Sequence, residues 1–367
     1  MRDIIDAIDL RPKTCVWELT ARCNMRCLHC ASDLGEGRTR GTELKLEEAL
    51  DVCRQLKALG CEQVVLSGGE ALLRPDWDAI ARELVQLGVG ASLISNGLAI
   101  DEAIARRVVD VGIGRVALSL DGPEAIHNRI RRHPRAFEGV SRACAVLKSL
   151  GLQVNIVTHV NHLNLSALPA IEALVLAWRA DIWRLQLASP IGRLSHHPEL
   201  QLEPEEVPSI ADFIVAARRR GRPVIDVCDN IGYFSRQETE LRRDRMPRPF
   251  DFWCGCSAGC LTVGIEANGN VKGCLSLQSE QFVEGNLREQ SLEQIWRKPG
   301  AFAYTRQFRP ENLHGYCADC EYGEICRGGC TFMAVGATGS PHNNPYCLHR
   351  LERTTQEPRR ERSCEPS

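Results

Sequence analysis

Cysteine is the residue type that most constrains this chain, because it occurs 18 times in 367 residues. Residues 1–6 lack the basic region and apolar stretch of a signal peptide, so we expect a cytoplasmic protein. Disulfides are disfavoured in that reducing compartment, and clustered cysteines there are more often metal ligands or redox groups. Seven cysteines lack a matching partner in the spacing, and we expect them to be small buried apolar side chains: Cys15, Cys53, Cys61, Cys144, Cys228, Cys256 and Cys364.

Composition and charge exclude several function classes. Hydrophobic residues make up 44% of the chain and charged residues 25%, which is typical of an ordinary globular protein large enough for two or three domains. The 45 basic and 47 acidic residues give a net charge of −2, so no basic field attracts nucleic acid or anionic lipid. No apolar run approaches the ~18 residues of a membrane span. We therefore expect neither nucleic-acid nor membrane partners.

The first half of the chain alternates short apolar runs with longer amphipathic ones. The short runs are rich in Val, Ile and Leu, which indicates buried parallel strands at 15–19, 63–66, 91–94, 115–120, 154–160 and 183–188. The amphipathic runs predict helices at 46–59, 75–87, 101–111, 137–150 and 167–177. Six β/α units predict an α/β fold with an open or partial (β/α)6 TIM-like barrel. In such folds, reactive groups lie on the loops after the strands.

Composition changes twice further along. We expect residues 1–190 to form the partial barrel and 191–250 a connecting helical region that ends in a charged, Pro-containing stretch. Residues 251–350 are rich in Cys and Gly and carry a hairpin signal at Asn268-Gly269-Asn270, which indicates a metal-organised module. The charged residues 351–367 predict a flexible tail.

The first cysteine group is Cys23, Cys27 and Cys30, directly after the first predicted strand. Three thiolates on a tight loop can hold three irons of a [4Fe–4S] cluster and leave the fourth iron open. A zinc site is the alternative, but structural zinc needs four protein ligands, and His29 lies inside the loop. The spacing therefore favours an open iron–sulfur cluster.

This CxxxCxxC loop, followed by Ser67-Gly68-Gly69-Glu70 after the second strand, resembles the radical S-adenosylmethionine (SAM) enzymes. In that family the open iron binds SAM, and one electron cleaves it to methionine and a 5′-deoxyadenosyl radical that abstracts hydrogen from the substrate. The GGE motif meets the SAM amino group, and its usual following proline is Ala71 here. The resemblance implies the following SAM contacts: Gly68, Gly69, Glu70, Ser95, Asn96, Ser119, Asp121 and Arg131.

The second cysteine group resembles the SPASM domain, in which Gly-x4-Cys precedes a CxxCx5CxxxC run and a final Cys. The resemblance implies two auxiliary [4Fe–4S] clusters, hence three clusters in all. By the family's crossed arrangement, one has the ligands Cys254, Cys260, Cys274 and Cys330, and the other has Cys317, Cys320, Cys326 and Cys347. Cys256 remains a rival to Cys254. Two zinc sites are the alternative, but zinc would not explain the link to a redox barrel.

Auxiliary clusters can accept an electron from a substrate radical, which makes oxidised products accessible. Sulfatase-maturing relatives carry an aspartate base where this chain has Leu275, which argues against formylglycine formation, and carbohydrate dehydrogenases typically have a shortened module. We expect a maturase that crosslinks or dehydrogenates a ribosomally made precursor peptide. Oxidation or decarboxylation of a small molecule such as a haem precursor is second. An iron–sulfur electron carrier is disfavoured, because it would not need the GGE motif.

The resemblance also implies partners. Only about 22 residues precede Cys23, so we expect no N-terminal winged-helix domain. A separate protein or the barrel itself would then recognise the leader of the peptide substrate. A flavodoxin or ferredoxin would supply electrons. The catalytic base stays open, and a cysteine such as Cys228 or Cys256 is a candidate to return a hydrogen in a redox-neutral reaction.

Overall fold

One sheet of ten strands organises the computed structural model, which describes residues 10–35, 40–243 and 252–356. Its strand order is β10-β9-β8-β1-β2-β3-β4-β5-β6-β7. The strands are β1 Thr14–Glu18, β2 Gln63–Ser67, β3 Gly90–Ser95, β4 Arg115–Ser119, β5 Gln153–Val160, β6 Ile182–Leu187, β7 Val224–Val227, β8 Thr262–Ile265, β9 Asn270–Lys272 and β10 Gly285–Asn286. The sheet is open, which confirms the predicted partial barrel.

Strands β1 to β7 run parallel, and helices cover their outer face. On β6, Trp183, Leu185 and Leu187 are buried in the core, whereas the alternating Arg184 is half-buried. Because side chains alternate between the faces of a strand, Arg184 lies on the interior face. The barrel interior is therefore more polar than the helix-covered side.

The helices between the strands have their apolar residues at helical spacing. In Leu46–Ala58, the buried residues Ala49, Val52, Cys53 and Leu56 share one face. The helices are α1 Leu46–Ala58, α2 Trp77–Gln86, α3 Glu102–Asp110, α4 Glu124–Arg131, α5 Ala136–Ser149, α6 Leu168–Ala177, α7 Val207–Arg220, α8 Glu238–Arg242, α9 Leu292–Arg297, α10 Ala303–Arg306, α11 Gly323–Cys326, α12 Thr331–Thr338 and α13 Leu348–Gln356. None of those described is long and apolar enough to cross a membrane.

The sheet continues across the boundary expected near residue 250. Strand β8 pairs in parallel with β1, and β9 returns from it in a hairpin at Asn268-Gly269, where Gly269 has a positive φ of 91°. The expected hairpin is therefore present, and it extends the barrel sheet. Strand β7 was missed within the supposed helical connector, because four residues are too few to show a period. Helix α13 likewise runs into the supposed tail.

Some expectations lie outside the described residues. These are the N-terminal residues 1–9, part of the charged connector at 244–251, and the tail beyond 356 with Cys364. The scattered cysteines Cys15, Cys53, Cys61 and Cys144 lie in the core, as small apolar side chains would.

A buried ionic network joins the first strand to the C-terminal hairpin. Lys272 Nζ lies 2.7 Å from Glu266 Oε1, and both side chains are almost fully buried. Arg40 pairs with Glu266 at 3.2 Å and with Glu18 at 2.7 Å. Glu18 Oε1 also accepts a hydrogen bond from the Ala267 amide. The two carboxylates and the two cations of this network therefore balance one another across the β1–β8 pairing.

Replacing Lys272 with Met tests this network. The change leaves Glu266 buried with Arg40 as its remaining cation, so we expect a loss of about 3 kcal/mol in the free energy of unfolding. Denaturant unfolding of the full chain measures it. The exposed Lys57→Met variant is the control, and equal stability of the two variants would contradict the prediction.

Candidate functional site

The first thiol loop follows β1 and is held against the turn after β2. The amide of Gly69 donates to the Thr20 carbonyl at 2.8 Å, and that of Glu70 donates to the Arg22 carbonyl at 2.8 Å. A Cβ on Gly68, whose φ is 152°, would lie 2.6 Å from the Thr20 carbonyl oxygen. Only glycine allows the two backbones this approach. The GGE turn is therefore built to contact the thiol loop.

Glu70 is a buried carboxylate beside that loop. Its Oε2 accepts a hydrogen bond from the Asn96 amide at 2.9 Å, while its buried Oε1 has no partner among the described residues. Burial raises the pKa of Glu70 to about 7. Buried polar atoms are rarely left unpaired, so this oxygen fits a ligand with a cationic donor. The ammonium of SAM is such a donor.

On its other side, the loop meets Asp121 and Arg131. Arg131 Nε donates to Asp121 Oδ2 at 2.7 Å, and its Nη1 donates to Cys27 Sγ at 3.8 Å. His29 Nε2 lies 2.9 Å from the same carboxylate oxygen. Burial alone would raise the pKa of Asp121, but the charges of Arg131 and His29 lower it well below its usual range. The carboxylate stays ionised at the centre of this cluster.

The remaining predicted SAM contacts lie at strand ends. Ser95 Oγ, at the end of β3, accepts a hydrogen bond from Gly97 N at 3.0 Å. The Asn96 side chain donates to Asn24 Oδ1 in the thiol loop at 2.8 Å. Ser119 is half-buried at the end of β4. The structure thus groups Glu70, Ser95 and Asn96 on one side of the loop and Asp121 with Arg131 on the other.

The first auxiliary thiol group contains Cys256. Burial raises the pKa of Cys260, Cys274 and Cys330, and the nearby Cys256 adds to the rise in each. Cys256, counted among the scattered cysteines but kept as a rival to Cys254, therefore lies near the first auxiliary thiols. We propose Cys256 as the fourth ligand of this group, with Cys254 as its rival. The two rivals lie only two positions apart in the chain, so the spacing of the motif alone could not decide which of them is the ligand.

The second auxiliary group lines a pocket. The pocket wall includes four cysteines, Cys317, Cys320, Cys326 and Cys347, together with aromatic side chains. Tyr322 stacks on Phe234 there, with ring centroids 4.4 Å apart. Burial raises the pKa of Cys347 to about 12, so this thiol stays protonated until it binds metal. Metal binding would then release protons from the thiols.

These thiols fit clusters better than single ions. In the part of the chain that the structure describes, no three His, Cys, Asp or Glu side chains are placed to hold one metal ion. Instead, four thiols surround a pocket, as an Fe–S cluster with four cysteine ligands requires. The residues of the second auxiliary group therefore fit a [4Fe–4S] cluster.

Sequence reasoning missed a polar trio on the interior face. Arg184 of β6 lies in register with Asp226 of β7, and its Nη1 is 2.5 Å from Asp226 Oδ2. Its Nη2 donates to Cys228 Sγ at 3.6 Å. Cys228 in turn acts electrostatically on Cys274 and Cys330. The available signal is a charged residue between two apolar ones: Arg184 between Trp183 and Leu185, and Asp226 between Ile225 and Val227. The second of these is informative only once β7 is known to be a strand.

Comparison with known families agrees with this geometry. Residues 17–172 match the model of the radical SAM superfamily, and residues 256–321 match the SPASM iron–sulfur cluster-binding domain. The chain is a radical SAM enzyme with a SPASM domain. The SPASM match begins at Cys256, the thiol that the structure places with the first auxiliary group.

Curated relatives of this radical SAM–SPASM chain carry different activities. An AdoMet-dependent heme synthase of Methanosarcina barkeri is 29% identical, over 92% of this chain and 97% of the relative. The mycofactocin maturase MftC of Mycobacterium ulcerans is also 29% identical, over 91% and 86%. The structure of Streptococcus suis SuiB bound to the precursor peptide SuiA aligns with a TM-score of 0.73 at 16% identity, over 94% and 76%. That likeness is one of fold.

Iron content tests the ligand assignment. Three four-iron clusters predict about 12 irons per chain after anaerobic reconstitution. We expect Cys256→Ala to lose up to about four of them, because one auxiliary cluster loses a ligand. Cys254→Ala is the matched control and should keep the full amount. Loss of iron in Cys254→Ala alone would reverse the assignment.

Binding of SAM should depend on pH through Glu70. Below its pKa of about 7 the carboxyl is protonated and no longer attracts the ammonium, so affinity should be lower at pH 6 than at pH 7.5. Calorimetry measures this on the reconstituted protein. Glu70→Gln should bind SAM more weakly and without the acid limb; an unchanged profile would remove Glu70 from the site.

Proposed function

We propose that this enzyme oxidatively modifies a precursor peptide, by a crosslink or a dehydrogenation that removes two hydrogens. The observation that carries the proposal is the pair of auxiliary thiol groups, one of which lies beside the interior trio of Arg184, Asp226 and Cys228. When bound, the clusters and SAM would supply a hydrogen-abstracting radical and a one-electron acceptor. An electron acceptor next to the strand ends supports an oxidative outcome.

The chain's own residues must take the proton that completes such an oxidation. The substrate loses one hydrogen atom, one electron and, for a two-hydrogen loss, one proton. Leu275 cannot accept it. Asp226 is a carboxylate on the interior face, 27% exposed and oriented by Arg184. We assign the proton to Asp226 Oδ.

Charge pairing favours a peptide over a substrate with several carboxylates. A haem precursor of that kind needs cations to bind its carboxylates. Three arginines near the thiol loop and the interior face already have acidic partners: Arg131 has Asp121, Arg184 has Asp226, and Arg193 has Asp33. An extended peptide, which can bind through its backbone, does not require free cations.

Oxidation of a haem precursor is the second candidate. Its support is the heme synthase of Methanosarcina barkeri, which this chain matches over 97% of the relative's length. The maturase MftC matches at the same identity and supports the first candidate. The two candidates therefore need a direct comparison of substrates.

The deciding experiment uses the reconstituted protein with SAM and dithionite. Peptides encoded next to the gene, supplied with any recognition protein encoded there, should give a product lighter by two hydrogens. A porphyrin with several carboxylates is the competing substrate. Turnover of the porphyrin with no change in any peptide would replace the first candidate by the second. Deuterium uptake from heavy water without loss of mass would show a redox-neutral reaction.

Variants separate radical formation from product formation. Alanine at Cys23, Cys27 and Cys30 should abolish 5′-deoxyadenosine, because these thiols hold the cluster that binds SAM. Asp226→Asn should still form 5′-deoxyadenosine but give at least about tenfold less product, since a base contributes ~10²-fold or more. Asp212→Asn, on the outer helix α7, is the matched control. Equal product yield in the two Asn variants would exclude Asp226.

A further inference from the structure

Cys27 is in contact with a buried cluster of charged and ring side chains. Arg131, Asp121 and His29 are each at most 9% exposed. The His159 ring lies edge-on to the His29 ring, with centroids 4.8 Å apart. Thiol ligands of iron need no such surroundings to bind metal. We therefore infer that these charged and ring side chains do more than hold the loop in place.

We propose that Asp121 clamps the Arg131 guanidinium against Cys27 Sγ, and that this hydrogen bond raises the reduction potential of the cluster held by the first thiol loop. His29 is a positioning residue in this clamp. The proposal rests on the proposed function only in requiring that Cys23, Cys27 and Cys30 hold a [4Fe–4S] cluster.

The clamp is fixed from several directions. Asp121 Oδ2 accepts from Arg131 Nε and from His29, and Oδ1 accepts from the His159 amide at 3.1 Å. The Asp121 amide donates to His127 Nδ1 at 3.0 Å. A carboxylate whose two oxygens are both occupied cannot turn without losing bonds. Arg131 therefore has one position from which its Nη1 reaches Cys27.

The tautomer of His29 follows from the same contact. An ionised carboxylate only accepts hydrogen bonds, so His29 Nε2 must carry a proton. His29 thus donates to the oxygen that also binds Arg131. Removing that donor frees one lone pair of Asp121 and loosens the guanidinium. This is why we assign His29 to positioning rather than to direct contact with the thiol.

The electrostatic effect has a definite sign. A reduced cluster carries one more negative charge than an oxidised one, so a nearby cation and an N–H···S bond stabilise the reduced state. The site is buried, and low dielectric strengthens the effect. Loss of the Arg131 guanidinium should therefore move the midpoint potential to a more negative value. Such a cluster would be harder to reduce by the same electron donor.

Redox titration of the reconstituted full chain, followed by electron paramagnetic resonance, tests this. The relevant signal is the one missing from the Cys23→Ala, Cys27→Ala, Cys30→Ala triple variant. We expect a more negative midpoint in Arg131→Gln and a smaller shift in Arg131→Lys, which keeps the charge but not the forked geometry. Arg220→Gln, which removes the cation of the distant Arg220–Glu172 pair, should match the wild type.

Two histidine variants test the positioning role. His29→Leu should shift the potential in the same direction as Arg131→Gln, and His29→Gln, which can donate from its amide, should restore most of it. Full iron content in each variant shows that the loop still holds its cluster. If the midpoint potential is unchanged in both Arg131 variants, the clamp is wrong. If it shifts in the Arg131 variants but not in His29→Leu, only the role of His29 is wrong. No loop signal in the wild type would instead refute the proposed function.

Discussion

The parallel pairing of β8 with β1 is the constraint on which the arrangement of thiols depends. It places the strand that precedes the first thiol loop next to the hairpin that precedes Cys274. The buried charges of Glu18, Arg40, Glu266 and Lys272 cross this pairing. Because these charges would be costly to bury singly, the hairpin has a strong preference for this position. Two regions with separate composition therefore act as one sheet.

Burial then determines the chemistry of the site. It raises the pKa of Cys23 to about 12 and that of Cys274 to about 11, while it lowers the pKa of His127 and His159 to about 3. These thiols and imidazoles are thus neutral before any metal binds. Asp121 is the exception, because Arg131 keeps it charged. The polar interior is stabilised by ion pairs, among them Arg131 with Asp121 and Arg184 with Asp226.

Much of the fold could be predicted from sequence, because buried parallel strands and amphipathic helices leave clear periods. Six strands and five helices agree with the structure to within two residues at their ends. Short or non-local features could not be predicted: β7 has four residues, and the β1–β8 pairing joins strands far apart in the chain. The motif of the first thiol group correctly predicted a loop that follows the end of a strand. It could not show that Arg131 contacts Cys27, because that contact spans 104 residues.

Aromatic side chains pack between the two auxiliary groups and form a wall that contacts both. Tyr233 is fully buried between them: its hydroxyl accepts a hydrogen bond from the Cys330 amide at 3.1 Å, and its ring packs in the apolar cluster that contains Cys326 and Cys347. Trp253 lies against Tyr233 with ring centroids 5.1 Å apart and donates to the Cys326 carbonyl at 3.0 Å. This wall excludes water from the space between the groups. Since solvent exposure is one of the factors that set cluster potentials, Tyr233 and Trp253 limit the contact of the two groups with water on the side where the groups face each other.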